Sequence, residues 1–257
     1  MALVVTAAGL TDVGRKRAHN EDNFSVIDEH GLYIVADGMG GHASGEVASQ
    51  IAVDTMAQFF QETDEDLERT WPYKMDKSVS YDENRLMMAV KLANRLIFRK
   101  AQADLRLKGM GTTLVATFIA EDSAVIGHVG DSRVYRIRGK EMVQLTEDHS
   151  LLNDYMKIKK LTPEEIKNFP HKNVIVRALG MKDLVKVDLA KEDLSKGDLF
   201  LLCSDGLSGL VEDEDMLKIV QDTGNDLDKC CANLIAEANK NGGNDNITVV
   251  LIRIDEL

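Results

Sequence analysis

The spacing of apolar residues changes along the chain and separates predicted strands from predicted helices. Short apolar runs at 3–5, 24–27 and 32–36 predict three strands near the amino terminus. Residues 44–60 then place apolar side chains every three or four positions, which predicts a helix. The same spacing predicts a second helix over about 83–107.

The second half of the chain returns mostly to strand patterns. Gly139-Lys140 joins two of these apolar runs as a hairpin turn would. Strands are predicted at 112–119, 123–129, 133–138, 141–145, 184–189, 198–203 and 247–254, with helices near 213–221 and 226–240. Strands therefore occur in runs with helices between the runs. This order favours antiparallel sheets that have helices packed on their outer faces, and it argues against a doubly wound parallel sheet.

Two polar segments interrupt the regular pattern. Residues 61–84 carry the only tryptophan, in Trp71-Pro72, and are interpreted as an irregular insertion. Residues 151–178 are also polar, but Thr162-Pro163 followed by two glutamates is typical of a helix start. Neither an internal repeat nor a low-complexity linker divides the chain. We therefore predict one domain over 1–257.

Composition and charge narrow the functional classes. The 257 residues are 44% hydrophobic and 29% charged, which is enough apolar material for a core. A net charge of −12 argues against nucleic-acid binding through phosphates, while it leaves many carboxylates available for divalent cations. The amino terminus is not expected to be a signal peptide, and no apolar stretch approaches the length of a membrane helix.

The cysteines point to a reducing compartment. Cys203 follows an apolar run, and Cys230 and Cys231 are neighbours on a predicted helix. Three cysteines without a CxxC pair argue against both a disulfide framework and a zinc site. We therefore expect a cytoplasmic protein.

The segment LYIVADGMGGHASG, at 32–45, has two possible functions. Gly38, Gly40 and Ala43 fit a loose dinucleotide-binding fingerprint after a strand. In that interpretation, however, Asp37 would set an unpaired negative charge against a pyrophosphate, and no strand follows the helix to complete a βαβ unit. Alternatively, Asp37 is a metal ligand and the glycines let the backbone approach the ion, with the carbonyl of Gly38 as a further ligand.

Other carboxylates decide between these interpretations. Each lies at or near a predicted strand end beside a turn, and the residues are Glu21, Asp22, Asp131, Asp205 and Asp245. Any one alone is an ordinary turn former. Together they form an oxygen-only ligand set, which selects Mg²⁺ or Mn²⁺. Two such ions about 3.5–4 Å apart can activate water for phosphoester hydrolysis without a serine or cysteine nucleophile.

A phosphate group also requires a cation of matching shape. Arginine binds phosphate oxygens in a bidentate manner, and Arg17 lies four residues before Glu21. Arg15 is the alternative candidate.

These motifs, taken in order, resemble those of the metal-dependent PP2C-type (PPM) protein serine/threonine phosphatases, in particular their compact bacterial members. The resemblance spans about residues 9–254. It is carried by Arg17-x-x-Asn20-Glu21-Asp22, Ala36-Asp37-Gly38-Met39-Gly40-Gly41-His42, Gly111-Thr112-Thr113, Val129-Gly130-Asp131-Ser132-Arg133, Leu145-Thr146-x-Asp148-His149-Ser150, Cys203-Ser204-Asp205-Gly206-Leu207 and Gly243-Asn244-Asp245-Asn246-Ile247-Thr248.

The resemblance implies an α+β fold with four α/β/β/α layers: two mainly antiparallel sheets form a β-sandwich flanked by helices. It also implies two Mn²⁺ or Mg²⁺ ions, with a weaker third site. Asp37 would bridge two ions, and Gly38 would contribute its carbonyl to one of them. The other implied ligands are Asp205 and Asp245, Glu21 and Asp22 directly or through water, and Asp131 with Asp205 at the third site. Arg17 would hold the substrate phosphate, and 151–178 would be a variable flap.

The position after Asp-Gly departs from the animal pattern, in which it is a histidine proposed as general acid. Here it is Met39, so His42 becomes the candidate for protonating the leaving oxygen. The alternative is that His42 caps the helix or orders a metal-bound water. His19 and His149 are interpreted as structural.

The expected activity is hydrolysis of phosphoserine and phosphothreonine in proteins. By resemblance, the expected partners are phosphoprotein substrates and a Ser/Thr protein kinase, and a monomer is the default. The alternative on the same fold is a non-catalytic phosphoprotein-binding or regulatory module. Such proteins usually lose a metal ligand, whereas every ligand position is intact in this sequence.

Overall fold

The computed structural model describes residues 3–40, 44–66, 70–167, 169–170 and 174–257. The strands in these ranges are β1 (Val4–Asp12), β2 (Asp22–Ile27), β3 (Leu32–Met39), β4 (Gly111–Thr112), β5 (Leu114–Ile119), β6 (Ser123–Val129), β7 (Arg133–Arg138), β8 (Glu141–Gln144), β9 (Asp188–Asp193), β10 (Leu199–Cys203) and β11 (Ile247–Glu256). The helices are α1 (Ser44–Glu65), α2 (Tyr81–Ala103), α3 (Leu151–Ile158), α4 (Pro163–Lys167), α5 (Asp205–Ser208), α6 (Asp213–Thr223) and α7 (Leu227–Lys240).

The strands form two antiparallel sheets. One has the order β1-β11-β10-β7-β8, and the other has the order β2-β3-β5-β6-β9 with β4 paired to the end of β3. Every strand pair in the described ranges is antiparallel. The predicted α+β fold with antiparallel sheets is confirmed.

Strand β3 shows how one sequence run supports three layers. Leu32, Ile34 and Ala36 pack on one face against α1 and α2. Tyr33 and Val35 alternate with them and pack on the other face against the second sheet. Because side chains alternate in a strand and both faces of β3 are buried, the run is apolar at every position. A further core lies between the first sheet and α6 and α7, which completes the four predicted layers.

The helices α1 and α2 are longer at their facing ends than predicted. Ser80 accepts a hydrogen bond from the Glu83 backbone while Glu83 accepts one from the Ser80 backbone, so α2 begins at Tyr81. The end of α1 buries Thr63, whose hydroxyl donates to the Phe59 carbonyl. The predicted irregular segment 61–84 was therefore too long, because helices occupy both of its ends.

Two strands differ most from their predicted limits. β1 was predicted only at 3–5, but it pairs with β11 along its whole length, from Val4 opposite Glu256 to Asp12 opposite Ile247. β9 was predicted at 184–189, whereas the paired strand is Asp188–Asp193 and Leu184 is exposed. β9 lies at a sheet edge with one partner, so its pattern is more polar than that of a buried strand.

The segment 151–178 contains two helices in its described part. The predicted helix start at Thr162 is present, since Thr162 and Glu165 cap each other at the beginning of α4. Helix α3 was not predicted, although Ser150 caps it by accepting a hydrogen bond from the Asn153 backbone.

None of the helices in the described ranges combines the length and the apolar character of a membrane-spanning segment.

Candidate metal centre

The backbone of Asp37 is held rigidly at the end of β3. β3 continues to Met39 because Gly38 pairs with Thr112 of β4. The Asp37 N–H donates to the Thr113 hydroxyl at 3.1 Å, and the Asp37 carbonyl accepts from the Thr113 N–H at 2.8 Å and from the Thr112 hydroxyl at 2.9 Å. The Asp37 carboxylate therefore projects from a fixed point of the sheet.

Gly38 permits a close approach between three segments. A Cβ at this position would lie 2.3 Å from the Gly45 carbonyl oxygen and 2.5 Å from that of Glu21. The Gly38 N–H donates to the Glu21 carbonyl at 3.1 Å, and the Gly45 N–H donates to the Glu21 carboxylate at 3.1 Å. The Glu21 side chain thus lies at the amino end of α1, where a negative charge is favourable.

Asp22 lies directly opposite Asp37 on the neighbouring strand β2. The Thr248 hydroxyl donates to Asp22 Oδ2 at 2.7 Å, but Asp22 Oδ1 is buried and has no hydrogen-bond partner among the described residues. Burial, followed by the repulsion from Asp205 and Asp245, raises the pKa of Asp22 to about 7. The carboxyl of Asp22 is therefore a buried oxygen donor that needs positive charge nearby.

Asp205 and Asp245 are brought together by the pairing of β10 with β11. The Ser204 N–H donates to the Thr248 carbonyl, and the Thr248 N–H donates to the Ser204 hydroxyl. This interlock sets Asp205, the first residue of α5, beside the turn that contains Asp245. The carboxyl of Asp205 interacts directly with that of Asp37, and the two can share a hydrogen bond only when one of them is protonated, so the two sheets contribute neighbouring carboxylates.

Asp131 follows β6 in a tight turn and is 7% exposed. Its Oδ1 atom is the second buried carboxylate oxygen without a hydrogen-bond partner in the described ranges. Burial and then repulsion from Asp205 raise the pKa of Asp131 to about 7.

The buried carboxyl of Asp37 is repelled by four neighbouring carboxylates. Its pKa is raised well above the ordinary value by burial and then by the charges of Asp22, Asp205, Asp131 and Asp245. All the acidic residues singled out by the sequence analysis are thus placed at one end of the sandwich, with the Gly38 backbone between Asp37 and Glu21.

The donor set fits a hard divalent cation. It consists of carboxylate oxygens and one candidate carbonyl, two of the oxygens are buried without partners, and the carboxylates repel one another. Across the described ranges, no three acidic, histidine or cysteine side chains are already arranged to hold an ion. The fit therefore rests on the chemistry of the donors and on the unpartnered oxygens.

Arg17, and not Arg15, faces the carboxylates. The guanidinium of Arg17 binds Asp245 at 2.6 Å and is half exposed. This hydrogen bond raises the pKa of Arg17, as do the charges of Asp245, Glu21 and Asp37 despite partial burial. The Arg15 side chain instead donates to the carbonyl of Asn239. Arg17 is therefore the arginine available to a substrate at the cluster.

Two residues that the sequence analysis left without a role organise the site. Asn246 is buried, and its amide nitrogen donates to the carbonyls of Val13 and His19 while its oxygen accepts from the Glu21 N–H. Thr113 anchors the backbone of Asp37. Both lie inside the quoted motifs, but a short polar side chain in a motif does not reveal which backbone it binds.

The strand arrangement around β3 excludes one of the two functions considered for residues 32–45. A dinucleotide fingerprint requires parallel strands around its helix, whereas β3 is antiparallel to its partners β2, β4 and β5. That interpretation was wrong. His42, the candidate general acid, lies outside the described residues.

Comparison with known proteins is consistent with this geometry. Residues 13–238 match the family model described as Protein phosphatase 2C. The chain is 40% identical over 250 residues to the serine/threonine phosphatase stp of Listeria innocua, with 94% of this chain and 93% of that protein covered. It is 38% identical over 250 residues to the protein phosphatase PhpP of Streptococcus pneumoniae, with 96% of each covered.

Solved structures show the same fold. The serine/threonine phosphatase PstP/Ppp of Mycobacterium tuberculosis superposes with a TM-score of 0.86 at 35% identity, covering 99% of this chain and 100% of that one. A structure of the catalytic domain of the phosphatase PstP in complex with two manganese ions has a TM-score of 0.82 at 34% identity, with the same coverage.

Proposed function

The chain belongs to the protein phosphatase 2C family, and from this premise we propose that it hydrolyses phosphoserine and phosphothreonine in proteins with the help of divalent metal ions. The observation that carries the proposal is the cluster of repelling carboxylates around Asp37, with Arg17 at its edge. The listerial and streptococcal relatives, both called phosphatases, support the same activity.

We propose that the ions are Mn²⁺ or Mg²⁺ and that two are bound, with a weaker third. Asp37 would bridge two ions, and the Gly38 carbonyl would bind one of them. Asp205 and Asp245 would complete the other site, Glu21 and Asp22 would hold a metal directly or through water, and Asp131 with Asp205 would hold the third ion. When bound, such ions neutralise the carboxylates and lower the pKa of water for attack on a phosphomonoester. A similar solved structure that contains two manganese ions supports the proposal of two bound ions.

The remaining steps belong to the chain's own side chains. Arg17 is half exposed and already binds an anionic oxygen of Asp245, so its guanidinium can bind and orient a phosphate dianion. Thr112 and Thr113 keep Asp37 at a fixed position by binding its backbone. His42 remains the candidate for protonating the leaving serine or threonine oxygen.

The catalytic function is favoured over a non-catalytic binding module. A module that only binds phosphoproteins has no need to keep Asp22 and Asp131 buried with unpartnered oxygens, since each such group costs stability. Retention of these carboxylates is explained if each contributes to metal-dependent hydrolysis.

The biological setting is proposed on the same basis. The substrates would be phosphoproteins, selected in part by the flap at 151–178, and a Ser/Thr protein kinase would supply them. All three cysteines are free and buried, which supports a reducing, cytoplasmic location. We propose a single domain over 1–257 that acts as a monomer.

The test is hydrolysis of p-nitrophenyl phosphate and of a phosphothreonine peptide by the purified protein, with Mn²⁺ and with EDTA. Both substrates should be hydrolysed only with Mn²⁺, and Asp37→Asn should lower kcat/KM at least about 100-fold. Asp54→Asn, an exposed carboxylate of α1, is the matched control and should not differ from wild type. Binding of the peptide without turnover would support the non-catalytic module instead.

A further inference from the structure

His149 and Gly130 are joined by a pair of hydrogen bonds. The backbone N–H of Gly130 donates to the ring nitrogen Nδ1 of His149 at 3.0 Å. In return, the backbone N–H of His149 donates to the Gly130 carbonyl at 2.8 Å. Gly130 directly precedes Asp131, and His149 directly precedes Ser150, the cap of α3. The double contact therefore links the turn that carries Asp131 to the start of the flap.

Gly130 has little room to move on its other side. Its φ angle is +118°, and a Cβ would lie 2.6 Å from Cβ of Thr113. The Thr113 hydroxyl also lies 2.7 Å from that of Ser132 and accepts from the Asp37 N–H. The Gly130-Asp131-Ser132 turn is thus held between Thr113 and the ring of His149.

The second ring nitrogen of His149 fixes the tautomer. Because Nδ1 accepts from Gly130, a neutral ring carries its proton on Nε2, which lies 3.1 Å from Asp188 Oδ2. Asp188 also pairs with Arg177 at 2.9 Å and with Lys186 at 3.2 Å. His149 is 5% exposed and stacks on His128 at 4.4 Å.

Burial keeps the ring of His149 neutral, although the charge of Asp188 favours its protonation. Burial, followed by the proximity of His128, lowers the pKa of His149 to about 4. Asp188 stays ionised: burial opposes its charge, but hydrogen bonds from His149, Lys186 and Arg177 hold its pKa at about 2. The ring is thus a stable acceptor for the Gly130 N–H.

The same residue also binds the returning end of the flap. The Val176 N–H donates to the His149 carbonyl at 2.9 Å, and Ser150 pairs with Ile175. Through its backbone and its ring, His149 contacts both ends of the flap and the Asp131 turn.

We propose that His149 is a positioning residue that sets the Asp131 carboxylate for metal binding through the hydrogen bond between its Nδ1 atom and the Gly130 N–H. Asp188 orients the ring by accepting its other proton, as carboxylates do for metal-binding histidines. The role at the metal rests on the proposed function, whereas the effect on the Gly130 turn does not.

Two substitutions of His149 distinguish the contributions of its two ring nitrogens. His149→Asn places an amide oxygen near the position of Nδ1, so the hydrogen bond from Gly130 can persist. His149→Gln reaches toward Asp188 but offers Gly130 no acceptor. If His149 served only to fill space in the fold, both substitutions would have the same effect, because both remove the ring that stacks on His128.

The first measurement is hydrogen exchange of the peptide 127–133 in EDTA-treated protein. We expect exchange to be about tenfold faster in His149→Gln than in wild type, and within about twofold of wild type in His149→Asn. The second is calorimetric titration with Mn²⁺, in which the weakest site should lose about tenfold in affinity in His149→Gln alone. His30→Asn, at the opposite end of β3, is the control and should change neither measurement.

Equal effects of the two substitutions would overturn the proposal, as would unchanged exchange in His149→Gln. If His149→Gln does not fold, ¹⁵N NMR of the wild-type protein tests the proposal by identifying the tautomer of His149. The ring proton should lie on Nε2 at pH 7, and a proton on Nδ1 would refute the proposed hydrogen bond. Altered exchange without any Mn²⁺ binding in wild type would leave the positioning of Gly130 intact and refute the proposed function instead.

Discussion

Asp22 and Asp37 face each other as direct partners across the antiparallel strands β2 and β3, both at the end of the sandwich where the other acidic residues collect. Each lies where burial and neighbouring negative charge oppose ionisation, so the pKa of both is raised. Two facing carboxylates in such a place destabilise the fold unless protons or cations neutralise them.

The stability of the metal-free protein should therefore fall as the pH rises. The pKa of Asp22 is about 7 in the fold against an ordinary value of 3.8, so between these values the folded state holds more protons than the unfolded chain. The stabilisation is complete below about pH 4 and is lost as the pH rises through 7. We expect the free energy of urea unfolding in EDTA to drop by about 2–4 kcal/mol between pH 5 and pH 8.

Asp22→Asn should flatten this dependence, since the asparagine side chain does not titrate. Added Mn²⁺ should reverse it, because metal binding requires deprotonated ligands and becomes stronger as the pH rises. A stability that is constant or increases over this range in EDTA would contradict the raised pKa values.

Arg17 and Arg15 should differ in their effect on catalysis. Arg17→Ala removes the guanidinium that binds Asp245. We expect KM for a phosphomonoester to rise about tenfold or more, because the substrate phosphate loses a charge-assisted hydrogen bond. Arg17→Lys should recover only part of this loss, since lysine cannot bind in a bidentate manner.

Arg15→Ala is the matched control two residues away. It removes the contact to the Asn239 carbonyl and should reduce thermal stability slightly with KM unchanged. Steady-state kinetics of the three variants would decide the matter, and an equal rise in KM for Arg15→Ala would show that Arg17 has no special role.

Gly38→Ala should disrupt the contact between β3, β2 and α1. The new Cβ would meet the carbonyl oxygens of Gly45 and Glu21 at 2.3 and 2.5 Å, and backbone atoms cannot move aside as side chains can. We expect a loss of about 1–3 kcal/mol in urea unfolding and a smaller stabilisation by Mn²⁺.

Gly127→Ala on β6 provides the comparison. There the nearest atoms are side-chain carbons of Leu86, at 3.1 and 3.3 Å, which can shift. That variant should lose less than about 1 kcal/mol and keep its response to Mn²⁺. Similar losses in both variants would argue against a special approach at Gly38.

Trp71 should matter for stability and not for catalysis. Its ring lies 6.1 Å from that of Phe59 and 5.1 Å from that of Tyr81, so it closes the gap between the facing ends of α1 and α2. We expect Trp71→Ala to cost about 2–3 kcal/mol in unfolding, with kcat/KM per folded molecule unchanged. A large change in kcat/KM at full folding would assign this segment to substrate binding.

The sequence alone predicted the elements and residues at which a single physical requirement, such as burial on both faces of a strand, determines the residue type. Continuous apolar runs such as that of β3 revealed the buried strands, and an acidic residue after such a run pointed to Asp37 and Asp205. The edge strand β9 was misplaced because its half-exposed positions relax the requirement for apolar residues. Interactions between distant segments could not be predicted, such as the contact of Asn246 with Glu21 or the ion pair of Arg17 with Asp245, since both depend on the closed fold.

The central claim is that the carboxylates around Asp37 bind the catalytic metal ions. Crystals soaked in Mn²⁺ test it most directly, because anomalous scattering locates manganese independently of activity. We predict peaks on the two sides of Asp37, one toward Asp205 and Asp245 and one toward Gly38 and Glu21, and neither peak in Asp37→Asn. The absence of any peak beside Asp37 in wild-type crystals at saturating Mn²⁺ would contradict the account.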